Sequence, residues 1–170
     1  MLFLIRQTFR AGICTEPTPG PNDDWRLEAE RIQANVLALL GRALTIRQVD
    51  AGSCNGCELE IHALNNPYYN IEGLGIRFAA SPRHADMLLV TGPVARHMEQ
   101  ALKIAYDAMP EPRLVVAAGD CARDGGIFGE GYATCGGVSK VIPVDVTVPG
   151  CPPTPAALLE GILAAISRRR

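Results

Sequence analysis

From Thr45 onward, strand-length apolar runs alternate with segments of helical length. That alternation constrains the chain more than anything else in it, because it suits a parallel sheet with crossover helices and little besides. Strands are expected at residues 45–50, 75–79, 86–91, 113–117 and roughly 141–148. The clearest helix between them spans 95–109, with Met98, Leu102, Ala105 and Met109 on one face and Pro110 to end it. A last helix follows a Thr154 cap with Pro155 at its first position and carries Leu159, Ile162, Leu163 and Ile166. Arg168, Arg169 and Arg170 complement its carbonyl end. The expected class is α/β, an open parallel sheet with helices on both faces.

Residues 1–42 read differently. Pro17, Pro19, Pro21 and Gly20 interrupt any helix over residues 1–22 and leave an extended arm. After it, Asn22 or Asp23 can cap an amphipathic helix whose face is Trp25, Ala29, Ile32, Val36 and Leu40. That face either packs on the chain's own core or docks on a partner. The division expected is therefore an arm and docking helix at 1–42 and an α/β domain at 43–170.

Composition narrows the function. A chain of 170 residues with 48% hydrophobic and 20% charged residues can bury roughly 70% of its unfolded surface without staples. A metal, if present, is then functional. Sixteen Lys and Arg against eighteen Asp and Glu leave a net charge of −2, with no basic stripe except 168–170, so a nucleic-acid footprint is absent and no nucleic-acid partner is expected. No apolar run approaches the roughly 18 residues that span a bilayer. The apolar residues 1–5 precede Arg6 and Arg10 rather than follow them, which is not a secretory pattern. A cytoplasmic location is the expectation, where thiols stay reduced and six cysteines read as ligands or catalytic thiols rather than bridges.

Four cysteines sit just past expected strands. Cys54 and Cys57 follow the first strand in Ser53-Cys54-Asn55-Gly56-Cys57, Cys121 follows the fourth in Gly119-Asp120-Cys121, and Cys151 follows the last in Gly150-Cys151-Pro152-Pro153. Parallel strands bring their carboxyl ends to one edge, where open α/β sheets hold ligands. Four thiolates there suit a cubane iron–sulfur cluster or zinc. Structural zinc favours two close pairs of ligands, whereas here the third and fourth are single and distant, and a Pro follows the last cysteine as in ferredoxin-type runs. The cluster is the preferred reading. Cys54-x-x-Cys57 between strand and helix also fits a thiol–disulfide oxidoreductase, which leaves Cys121 and Cys151 unused. Cys14 and Cys135 read as free thiols, although Cys135 lies in the glycine-rich stretch 125–137 and could line the same pocket.

These residues resemble a known family: the iron–sulfur small subunits of [NiFe] hydrogenases and the homologous complex I subunit that carries the last cluster before quinone. The resemblance covers about 45–166. It rests on Cys54-Asn55-Gly56-Cys57-Glu58-Leu59-Glu60, on Ser81-Pro82-Arg83-His84-Ala85-Asp86, on Gly119-Asp120-Cys121-Ala122 with Gly125-Gly126, and on Ile142-Pro143-Val144-Asp145-Val146 running into Val148-Pro149-Gly150-Cys151-Pro152-Pro153. It implies a flavodoxin-like fold holding one proximal [4Fe–4S] cluster on Cys54, Cys57, Cys121 and Cys151.

The spaced pair Cys54 and Cys57, where the complex I subunit has adjacent cysteines, favours the hydrogenase branch. Exported small subunits continue into a second cluster domain, and this chain, ending at Arg170, looks instead like the small subunit of a membrane-bound, energy-converting hydrogenase or formate hydrogenlyase. What the resemblance implies is a non-catalytic electron relay on the cytoplasmic side of the membrane. It would link ferredoxin-like iron–sulfur subunits to the nickel–iron site of a hydrogenase-type large subunit, with membrane subunits alongside. Quinone reduction in a complex I-like assembly is the alternative within the family. Arg83 is the family-matched candidate for tuning the cluster, against a plain ion pair with Asp86. Glu60 matches a family glutamate near the large subunit, against a carboxylate favoured by a helix amino end. Glu58 reads as solvated, and His62, His84 and His97 as surface or packed residues.

Overall fold

The computed structural model describes residues 41–168 without a break, together with residues 6, 9, 30, 31, 33, 34 and 36–38, all of them helical. The rest of the expected arm and docking helix lies outside the described residues. Val36 is fully buried in the domain's core, so at that position the amphipathic face packs on its own chain.

Five strands form one parallel sheet: β1 (Leu44–Asp50), β2 (Ile76–Phe78), β3 (Met87–Thr91), β4 (Leu114–Ala118) and β5 (Val146–Val148). Their spatial order is β2-β1-β3-β4-β5, the flavodoxin-like order, whose switch point falls between β1 and β3. Four helices connect or follow them: α1 (Gly56–Ala63), α2 (Glu99–Asp107), α3 (Asp120–Asp124) and α4 (Pro155–Ser167). Side chains of successive strand residues point to opposite faces, and both faces are covered. Met87 and Leu89 join Ile61, Leu158 and Ile162 in one core cluster. Leu88 and Val90 join Leu102, Met109 and Ala122 in the other. Each such aliphatic side chain contributes roughly 1.5–3 kcal/mol by leaving water.

α4 starts where the sequence reading puts it, with Pro155 first and the Thr154 hydroxyl accepting the Ala157 N–H at 3.3 Å. Two elements are shorter than expected. Residues 95–98 stay outside α2 because the Ala95 N–H donates to Ala51 O at 2.8 Å and the Arg96 N–H to Ala133 O at 2.9 Å. Residues 141–145 do not pair as strand. Ile142 is spent on the core, and Asp145 turns onto β4, its carboxylate accepting the Val115 N–H at 2.7 Å.

Candidate metal centre

Register decides where the cysteine loops meet. Asp50 of β1 pairs with Thr91 of β3, Thr91 with Ala118 of β4, and Ala118 with Val148 of β5. Four strands therefore stop on one line, and the turns carrying Cys54 and Cys57, Cys121, and Cys151 leave from it.

Each turn is built by its own polar contacts. The Asp50 carboxylate accepts the N–H groups of Gly52 and Ser53, both at 2.8 Å, and so bends the chain back directly after β1. Ser53 Oγ accepts the Asn55 N–H at 3.0 Å and donates to Glu58 Oε2 at 2.5 Å. Asn55 takes a left-handed conformation, φ 72°, from which α1 departs. This leaves Cys54 exposed on the turn and Cys57 buried in the first turn of α1. The other two turns are joined to each other. The Gly119 N–H donates to Val148 O and the Asp120 N–H to Gly150 O, both at 2.8 Å, while the Gly150 N–H donates to Asp120 Oδ1 at 3.2 Å.

Two glycines leave the sulfurs room. A Cβ on Gly119 would fall 2.7 Å from Cys57 Sγ and one on Gly126 2.9 Å from Cys121 Sγ, and both residues have positive φ, 92° and 53°. No other residue type fits either position without displacing a sulfur.

The thiols act on one another. Burial pushes Cys57 up to about 12, helped by the Glu58 carboxylate and then by Cys121, Cys54 and Cys151. Burial also raises Cys121, followed by Cys151, Cys54, Asp120 and Asp124. All four sulfurs thus lie within electrostatic reach. No group of three or more His, Cys, Asp or Glu side chains among the described residues is arranged to hold a metal ion. A tetrahedral zinc with Zn–S of about 2.3 Å needs its sulfurs about 3.8 Å apart, and a polynuclear cluster spreads the same donors wider. Four thiols on turns leaving one edge, with glycine clearance beside Cys57 and Cys121, are a donor set that suits an iron–sulfur cluster.

The remaining candidates are placed as follows. Glu58 is 7% exposed, so the solvated reading fails. Glu60, two positions on and about 200° around the helix, is half-buried and acts on Tyr69 instead. Arg83 is exposed on the 3-10 turn Pro82–His84. Its expected partner Asp86 is taken by Arg42 at 2.5 Å and the Thr45 N–H at 3.0 Å, so the plain Arg83–Asp86 pair is overturned. Cys135 is buried in the α2 face of the core, its thiol donating to Glu99 Oε2 at 3.4 Å. Cys14 lies outside the described residues. A cleft of about 520 Å³ opens between β1, β2 and α1, lined by Arg47, Asp50, His62, Asn65 and Phe78 among others.

Sequence reasoning missed Ser53, Glu58 and Asp120. Ser53 lies five positions before Glu58, outside the Ser-x-x-Glu capping spacing, so that pattern does not mark the first two. Nothing local marks Asp120, whose partner Gly150 is thirty positions away.

A flavodoxin-like sheet with cysteine-bearing turns on its carboxyl edge defines a class, the subunits of oxidoreductase complexes built on this fold. The chain belongs to the family of the NADH ubiquinone oxidoreductase 20 kDa subunit, whose model matches residues 54–165. It is 42% identical over 147 residues to the probable membrane-bound hydrogenase subunit mbhJ of Pyrococcus furiosus, covering 86% of this chain and 88% of the relative. Formate hydrogenlyase subunit 7 of Escherichia coli is 44% identical over 135 residues, 79% of this chain but about half, 53%, of the relative. An NADH-quinone oxidoreductase subunit of Desulfovibrio desulfuricans is 45% identical over 130 residues, 76% of this chain and 69% of that one. Among solved structures, a chain of the membrane-bound sulfane sulfur reductase, an archaeal respiratory membrane complex, superposes with TM-score 0.66 at 33% identity, covering 80% of this chain and 74% of that chain. Among the described residues no helix is long and apolar enough to cross a membrane.

Proposed function

We propose that the chain is the electron-transfer subunit of a membrane-bound [NiFe] hydrogenase-type complex. Cys54, Cys57, Cys121 and Cys151 would hold one [4Fe–4S] cluster, which when bound supplies one-electron chemistry. The observation that carries this is the common line of Asp50, Thr91, Ala118 and Val148, from which the three cysteine turns leave.

The chain's own residues do the rest. The turns fix the four sulfurs, Gly119 and Gly126 clear space beside them, and burial withdraws Cys57 from water while Cys54 and Cys151 stay on the exposed side. No side chain needs to move a proton. The subunit is non-catalytic, passing electrons between ferredoxin-like iron–sulfur subunits and the nickel–iron site of a large subunit. It sits peripherally on the cytoplasmic side of the membrane beside the complex's membrane subunits. Residues 43–170 form the cluster domain, and 1–42 dock it to a neighbour as well as packing Val36 inward.

A second reading, quinone as acceptor, is favoured by the cleft that begins at Asp50, beside the Cys54 turn. The thiol–disulfide reading gives no role to Cys121 and Cys151, whose turns leave from the same edge as the Cys54 turn.

The test is the complex purified anaerobically. A brown absorption that dithionite bleaches, with a paramagnetic signal lost in Cys151→Ser, is expected. Co-purification with a nickel-containing large subunit supports hydrogen chemistry, and a nickel-free partner with quinone reductase activity supports the second reading. A colourless chain with stoichiometric zinc refutes both.

A further inference from the structure

Glu58 follows Cys57 on α1 and is poorly satisfied. The residue is 7% exposed. Its Oε2 accepts the Ser53 hydroxyl at 2.5 Å, while Oε1 is buried with no hydrogen-bond partner. No ion pair among the described residues includes it. The other acids near the site differ. Asp120 and Asp124 share the Arg123 guanidinium at 2.9 Å each, so each has a cationic partner, whereas Glu58 has none among the described residues.

A buried acceptor left unpartnered costs on the order of 1–3 kcal/mol, more when charged, and such an exception calls for a reason. Two are visible. Glu58 is the far end of a relay, Asn55 N–H to Ser53 Oγ and Ser53 O–H to Glu58, which ties the first turn of α1 to the loop and spans Cys54. Its charge also falls on the sulfur of the preceding residue. Glu58 follows Cys57 directly in the first turn of α1, and the hydroxyl it accepts belongs to the residue before Cys54.

We propose that Glu58 is a positioning residue with two tasks: through Ser53 it fixes the turn carrying Cys54, and its unmatched buried carboxylate holds the cluster's reduction potential low. This deepens the reading above and rests on it. Reduction adds one electron, taken from a ferredoxin-like carrier, to an already anionic group and breaks no bond. A fixed negative charge on the buried side of the site, beside Cys57, penalises that electron. A low potential matches a carrier of ferredoxin class and disfavours quinone as the immediate acceptor.

The test is a redox titration of the anaerobically purified complex, followed by the paramagnetic signal that Cys151→Ser abolishes. Glu58→Gln and Glu58→Ala both remove the charge. Either one that retains iron is expected to favour the reduced state at least tenfold, about 59 mV more positive for one electron, whereas Glu58→Asp stays near wild type. In Ser53→Ala the carboxylate remains, so iron is lost faster to a chelator with a smaller change of potential. An iron-loaded neutral variant with the wild-type potential overturns the inference and leaves the cluster reading intact. Iron lost by Glu58→Gln as readily as by Glu58→Ala also overturns it, since the glutamine amide oxygen can still accept the Ser53 hydroxyl and the charge is assigned to the potential, not to assembly. A wild-type complex whose chain holds no iron overturns the cluster reading instead.

Discussion

The two edges of the sheet treat buried carboxylates in opposite ways. At the amino edge, Asp86 accepts from both Arg42 and the Thr45 N–H, tying the start of β3 to the start of β1. Asp145 does the same for β5 and β4. Its carboxylate takes the Val115 N–H, its own N–H donates to Val115 O at 2.9 Å, and its carbonyl accepts from Arg168. At the carboxyl edge Glu58 keeps one oxygen without a donor, Gly119 and Gly126 hold positive φ against sulfur, and the Cys57 and Cys121 thiols are raised by burial first and by their neighbours after it. One edge is closed for stability and the other is left incomplete, which is where folded proteins break local rules for a purpose.

That contrast can be broken from either side. The largest effect expected is at the carboxyl edge: Cys121→Ser should abolish iron binding, read by elemental assay, while far-ultraviolet circular dichroism keeps the α/β signature. Gly119→Ala should lower iron content nearly as far, because its methyl lands on Cys57 Sγ. At the amino edge Asp86→Ala should cost about 2–3 kcal/mol, the worth of hydrogen bonds to a charged group, measured by urea unfolding, with the potential of any bound cluster unchanged. An Asp86→Ala variant that lost iron at full stability would dissolve the division between edges.

Acid and base sharpen it further. The Cys57 pKa in the metal-free fold, about 12, lies above its ordinary 9.0. The neutral thiol is therefore the form the fold favours. That contribution is complete below pH 9 and lost as pH rises towards 12, so the metal-free chain should unfold more readily in that window. Cys57→Ser should flatten the alkaline limb. The smallest effect belongs to Cys135→Ser, which exchanges one donor to Glu99 for another in a core position and should cost about 1 kcal/mol with iron content unchanged.

Much of this is legible in the sequence, for identifiable reasons. The five strands and α4 announce themselves because apolar alternation, a Thr154 cap and Pro155 are local signals. Cys54, Cys57, Cys121 and Cys151 stand out because parallel strands end together, a topological fact that needs no coordinates. What stays hidden depends on pairing across the chain. Asp86 lies three residues from Arg83 but binds Arg42, forty-four positions away. Residues 141–145 look like strand, yet Asp145 uses its carboxylate where a ladder bond would be. Glu58 and Glu60 are equivalent in composition and separate only once the rotation of α1 is fixed by burial of Cys57 and Ile61.

Iron and acid-labile sulfide, counted per chain in protein never exposed to oxygen, test the central claim most directly. About four of each, falling to background in Cys151→Ser, is the expected result. One equivalent of zinc with no sulfide, or iron unchanged by that substitution, would contradict it.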